Sequence, residues 1–185
     1  LMLNLLYEPL PDAVPVVGKL CPVVTDFREW IRFHDLLTDK DVPERSKFFM
    51  LAEWFQNPPV FLTEEHLKAL LDFYRAKPLE PERDMPEDET PPKRKPPVFD
   101  WKFDSADLLA DFRQYYQINL ITVPFLHWFE FCALFRALPE ESRCQKKIWY
   151  RSVRLSEIKD KQAAFLHFSE KRLAFSRENH ERILQ

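Results

Sequence analysis

One glycine in 185 residues narrows the possible folds more than any other feature of this chain. Tight β-turns and left-handed helix caps draw heavily on glycine, because it alone enters positive φ without steric cost. A fold of many hairpins, or a glycine-rich loop cradling a phosphate, is therefore nearly excluded. The punctuation falls to 16 prolines.

The second constraint is the run PFLHWFEFCALFRALP at 124–139, interrupted only by His127, Glu130 and Arg136. A helix that is apolar around most of its circumference must be enclosed by other elements. Aromatic residues make up 15% of the chain, with 17 Phe and 5 Trp, so rings are expected to supply most of the burial. With 27 basic and 30 acidic side chains the net charge is −3, which disfavours nucleic acid as a bulk partner. Three cysteines, an odd number, argue against a disulfide framework and for a reducing compartment. No opening segment has the pattern of a signal peptide and no apolar run is long enough for a membrane span, so a cytosolic protein is expected.

Five of the ten valines lie between Val14 and Val24, around the lone Gly18. This is the only strand-like composition, and a small hairpin is expected there. A Val17-Gly18 loop places Pro15 and Pro22 at non-hydrogen-bonded positions, and a Gly18-Lys19 loop does not. The first register is favoured, although it puts Val17 at positive φ.

Helix follows. Asp26 and Glu29 form a capping-box pattern before a helix with Phe27, Trp30, Ile31 and Leu37 on its apolar face, widened by Phe33 and Leu36. Pro43 suits the first position of a second helix running through Phe48, Leu51, Ala52 and Phe55, which Asn57-Pro58-Pro59 stops. Thr63 caps a third, with Leu67, Leu70, Leu71 and Tyr74 at helical spacing. Residues 77–98 hold seven prolines, eleven charges and no aromatic, which predicts an extended or mobile linker. Beyond it, a helix capped near Asp104 carries Leu108, Leu109, Phe112 and Tyr115. The apolar run forms the next from Pro124, and Pro139 with Glu140 and Glu141 starts another. Ser156 caps a last one with Ile158, Phe165, Phe168 and Phe175 in one stripe.

The expected architecture is mainly α, a bundle of about six helices with a small N-terminal β-hairpin. It divides into a hairpin plus three helices (1–76), the linker (77–98) and a C-terminal helical part (99–185) packed around helix 124–137.

No chemistry stands out. His127 and Glu130 are neighbours three apart on one helix, but no nucleophile or second carboxylate accompanies them, so a buried, mutually satisfied polar pair is the expectation. The remaining histidines and cysteines lack metal-ligand spacing. Between Arg143 and Lys161 seven basic residues meet two acidic ones, with Trp149 and Tyr150 interleaved. This is the best candidate for an anionic partner, weighed against a solvated or protein-docking face. Surplus aromatics also make some exposed apolar surface plausible, as at a protein-binding site. Candidate partner-binding residues are Trp128, Phe131, Phe135 and Phe168 from the apolar helices, and Trp149, Tyr150 and Arg151 from the basic cluster.

The opening LNLLYEPLPD, the valine hairpin leading into TDFREWIRF, the FDW after a charged linker, LHWFEFCALFRALPEES and the closing YRSVRLSEIKDK together resemble the phage "gene product fifteen" family. The resemblance covers nearly the whole chain and is most specific at residues 25–33 and 126–161. It implies a protein encoded beside the tape measure protein in the tail module of long-tailed phages and prophages. It further implies a non-enzymatic tail assembly chaperone, made in the host cytoplasm and absent from the mature virion, which holds the tape measure protein and recruits tail tube subunits. No catalytic residue, cofactor or metal is implied. The alternatives are a structural head-to-tail connector or tail component of the virion, and a nucleic-acid-binding accessory protein using the 143–161 cluster. The chain departs from the family pattern at Val17, where a turn-forming residue usually precedes Gly18.

Overall fold

The hairpin takes the register that its two prolines permit. In the computed structural model, which describes residues 4, 7–77 and 98–152, β1 (Ala13–Val16) pairs antiparallel with β2 (Lys19–Pro22). Val14 lies opposite Cys21 and Val16 opposite Lys19, leaving Val17 and Gly18 as the loop. Both loop residues are left-handed, Val17 at φ 47° and Gly18 at φ 74°. Val14 and Val16 point into the core while Pro15 and Val17 face outward, the period-two alternation of a strand with one buried face.

The rest of the described chain is helical, so the fold is mainly α. Six α-helices follow the hairpin: α1 (Phe27–Thr38), α2 (Glu44–Met50), α3 (Glu64–Tyr74), α4 (Ser105–Tyr115), α5 (Trp128–Arg136) and α6 (Arg143–Ser152). A short 3-10 helix, Leu51–Trp54, continues α2. Nearly all of the expected linker 77–98 lies outside the described residues, as does the helix expected from Ser156.

Two compact units form, and the division differs from the expected one. One unit is Leu1–Glu87 with Pro124–Ala137, the other Asp88–Val123 with Leu138–Gln185. The apolar helix α5 was expected to centre the C-terminal part, but it belongs to the N-terminal unit. Its partners there are specific. The Phe131 ring stacks on Phe27 at 4.8 Å, Trp128 on Tyr74 at 5.6 Å, and Phe129 meets Phe73 at 4.6 Å. Residues 126–128 also pair with 25–27 as a short antiparallel bridge, Phe27 N–H to Leu126 C=O at 3.0 Å and Trp128 N–H to Thr25 C=O at 2.7 Å. That bridge keeps the chain extended past Pro124, so α5 starts at Trp128 rather than at the proline.

Trp30 occupies the middle of this unit with no exposed surface. It stacks on Phe73 at 4.6 Å and on Trp128 at 6.4 Å, and meets Phe33 at 5.2 Å. On α1 the buried residues are Phe27, Trp30, Phe33 and Leu36, whereas Ile31 and Leu37 are half-covered. Asp26 caps α1 through its carboxylate, accepting from Arg28 N–H at 2.9 Å, while Glu29 turns to Arg32 instead of completing a capping box.

Of the apolar face expected for the second helix, Leu51 and Phe55 are buried and Phe48 and Ala52 half-covered, but Leu51 and Ala52 fall in the 3-10 helix and Phe55 just beyond it rather than in α2. Pro43 is the N-cap of α2, and the buried residue of that helix is Lys47. Its ammonium donates to Leu37 C=O at 3.2 Å, at the negative end of α1, and to Glu44 at 2.8 Å. The methylene stem supplies the burial, as long cationic side chains allow. On α3 the capping partner three residues after Thr63 is His66, whose Nδ1 accepts from Thr63 N–H at 3.3 Å.

Glycine's scarcity leaves a mark. Besides Val17, Ala76 after α3 and Gln117 after α4 hold positive φ. Such positions usually carry glycine, and an L-residue there costs about 1 kcal/mol or more. Val17 is the most strained of them because it is β-branched. Val17→Asn is expected to stabilise the protein by about 1 kcal/mol, read as a higher urea midpoint at unchanged slope.

Candidate functional site

In the second unit a row of aspartates faces a row of cations. Asp104, Asp107 and Asp111 recur along α4, and Arg143, Lys147 and Arg151 recur four apart along α6. Asp104 is fully buried and binds the Arg151 guanidinium through both oxygens, Nη2 to Oδ1 at 3.0 Å, with Lys147 Nζ at 3.2 Å. Lys147 also pairs with Asp107, which Arg143 approaches at 3.8 Å. Asp104 does begin α4, but its side chain does not cap that helix; it turns to α6 and to the Asp100 N–H at 3.0 Å. Burial pushes the Asp104 carboxyl up, yet the hydrogen bonds from Arg151 and Asp100 N–H and the Arg151 charge outweigh it, holding the group below its ordinary value.

The start of α6 is capped from another helix. Asp111, itself buried, accepts from Arg143 N–H at 3.2 Å and Cys144 N–H at 2.8 Å, and Ser142 Oγ accepts from Gln145 N–H at 3.2 Å. The three first amides therefore all have acceptors, and Glu140 and Glu141, expected to serve this end, are exposed. Cys144 sits beneath this cap. Burial and the Asp111 carboxylate push its thiol far up, and burial pushes Cys132 up to about 12. Neither sulfur is a thiolate nucleophile at neutral pH.

His127 and Glu130 are not a mutually satisfied pair. His127 is buried and is the N-cap of α5; Glu130 is exposed. The ring's Nδ1 accepts from Phe129 N–H at 3.1 Å and its Nε2 lies 3.0 Å from Pro11 C=O. An amide can only donate and a carbonyl only accept, so the ring is neutral with its proton on Nε2. Burial lowers the His127 pKa against the opposing pull of the Pro11 carbonyl and the nearby carboxylates.

The candidate partner-binding residues part company. Trp128 and Phe131 are core residues, 2% and 0% exposed, so they cannot present a surface. Phe135 is half-covered and stacks on Phe131 at 6.4 Å. Arg151 is committed to Asp104. Trp149 is exposed beside a half-buried Tyr150. Phe168 lies outside the described residues. Of the basic cluster, Arg143, Lys147 and Arg151 face aspartates rather than solvent alone.

Exposed apolar side chains occur elsewhere. Val60 and Phe61 are 90% and 80% exposed in the loop before α3, and Phe49 and Met50 are exposed at the end of α2. Periodicity could not find Val60 and Phe61, since they fall between helices. The available signal was an apolar pair directly after Pro58-Pro59, where no helix could bury it. Among the described residues no group of three or more His, Cys, Asp or Glu is placed to hold a metal, and no helix is long and apolar enough to cross a membrane.

Asp104→Ala would leave Arg151 and Lys147 without their shared anion, a loss of about 3–5 kcal/mol by chemical denaturation. Because the folded state depresses the Asp104 pKa, its contribution is present above the ordinary aspartate value near pH 4 and is lost as pH falls through the lower folded-state value. For His127 the unfolded chain binds the proton more readily, so stability should fall as pH drops below about 6.5. His127→Asn keeps a capping oxygen and should flatten that part of a stability profile taken from pH 7 to pH 5.

The family model described as Bacteriophage Gp15 protein matches residues 6–171. No curated protein and no solved structure matches the chain.

Proposed function

The chain belongs to the Bacteriophage Gp15 protein family, and we propose that it is a non-enzymatic tail assembly chaperone that binds the tape measure protein and helps to recruit tail tube subunits. The observation that carries this is the family match over 6–171, since the resemblance it extends implies a tail-module protein encoded beside the tape measure. The physical features support the reading without specifying it. A client rich in apolar helix needs a partner with exposed apolar side chains on a folded scaffold, shielded from self-association by charge. Val60, Phe61, Phe49 and Met50 provide the first, and a net charge of −3 with acidic residues beside them provides the second. The chaperone would act in the host cytoplasm and be left out of the finished particle.

Co-expression tests it. With this chain present, the tape measure protein should stay in the soluble fraction and co-purify with it; equal solubility in its absence ends the reading. Purified particles that contain the chain in fixed ratio would instead favour a connector or another structural tail component.

A further inference from the structure

We propose that the loop 57–62, with Val60 and Phe61 at its outer surface, docks a basic amphipathic helix of the partner. The inference rests on the chaperone reading and deepens it by giving the partner segment its chemistry.

The loop is fixed at both ends. Gln56 N–H donates to Pro22 C=O and its side-chain amide to Val23 C=O, each at 2.9 Å. At the other end Thr63 and His66 form the reciprocal cap of α3, and the His66 ring meets Phe55 edge-on at 5.5 Å. Pro58 and Pro59 restrict the backbone between. An apolar pair held in this way loses little freedom on binding, which is what a docking site requires. A disordered tip would lose much more.

Charge selects the occupant. Between Lys47 and Lys68 the chain carries Glu53, Glu64 and Glu65 and no lysine or arginine. All three carboxylates are exposed, and two lie in the first turn of α3, three and four residues after Phe61. The surface therefore offers apolar anchors bordered by anions. A helix whose apolar stripe is flanked by lysine or arginine complements both features. Nucleic acid and anionic membranes are repelled by the same carboxylates. A second copy is disfavoured too, because a two-fold contact sets this acidic border against itself.

The probe is a synthetic amphipathic helical peptide with a leucine face flanked by lysines, compared with a counterpart flanked by glutamates. Both are titrated by fluorescence anisotropy onto the full chain, with sedimentation run in parallel. The lysine peptide should bind, weaken as salt rises, and lose about tenfold or more in affinity on the Val60→Ser, Phe61→Ser double variant. Glu64→Gln with Glu65→Gln should weaken it less and remove most of the salt dependence. Val60 and Phe61 are exposed, so an unchanged thermal melt should certify the serine variant. Glu65 accepts from Thr63 and both carboxylates lie in the first turn of α3, so the glutamine variant is certified by unchanged helical circular dichroism at the assay temperature. Equal binding by the glutamate peptide, unchanged binding by the serine variant, or a wild-type dimer that the serine variant dissolves would each overturn the proposal. Co-expression separates the two levels. If wild type and serine variant both keep the tape measure protein soluble, the chaperone reading survives and this surface does not; if wild type fails, the reading itself falls.

Discussion

A buried indole must find an acceptor for its one N–H or lose about 1–3 kcal/mol of hydration without return. The N-terminal unit contains three tryptophans and solves this problem three times with backbone carbonyls. Trp30 donates to Val24, Trp54 to Glu29 and Trp128 to Tyr74, all at 2.9 Å. Each bond joins a ring to the main chain of another segment: α1 to the stretch that links it to β2, the 3-10 helix to α1, and α5 to the end of α3. The rings then stack on one another, with Trp30 between Phe73 and Trp128. Ring packing is broad in its preferences, but the N–H bonds are directional. Together they select one arrangement of four elements that apolar pressure alone would leave degenerate.

The second unit reaches the same end with charge. Burying Asp104 among cations gains little net stability over an apolar contact, because desolvation offsets most of the attraction. Its effect is on register. Asp104 and Asp107 meet three bases along α6, and sliding one helix by a turn would leave a buried carboxylate or a guanidinium uncompensated. Asp111 adds a second lock, since it must meet the first amides of α6 and no others. A helix of ten residues is marginal by itself, so this remote cap bears directly on its formation.

Local rules carried the sequence reading as far as local physics goes. The proline positions decided the hairpin register, and capping residues located the starts of α1 and α3, because both depend on neighbours in the chain. Where a partner lies far away in sequence, the same rules fell silent. Apolar periodicity marks 124–137 as enclosed but cannot say by what, and its partners turned out to be Phe27, Phe73 and Tyr74 rather than the helices beside it. The burial of Lys47 likewise depends on an acceptor outside its own helix, at the end of α1. The cluster at 143–161 read as free positive charge because Asp104 and Asp107, which pair with Arg143, Lys147 and Arg151, sit more than thirty residues earlier. His127 was paired with Glu130 by spacing, yet its acceptor is the carbonyl of Pro11, 116 residues distant.

The aromatic surplus also changes meaning once its members are placed. Taken as composition, 17 phenylalanines suggested that the core could not hold them all. In fact the rings near the apolar helix are packed, and among the described residues the exposed phenylalanines, Phe49, Phe61, Phe103 and Phe125, lie at chain reversals and short-helix ends. Such residues bury little of their surface on folding, and each adds to the tendency to aggregate. Acidic neighbours at Glu53, Glu64 and Glu65 counter that tendency for two identical surfaces while leaving the apolar side chains open to a surface of opposite charge. An apolar pair that is rigidly held, anionically bordered and unused by the core is thus stable against its own kind and available to another, which is the physical condition a transient holder of a helical client has to meet.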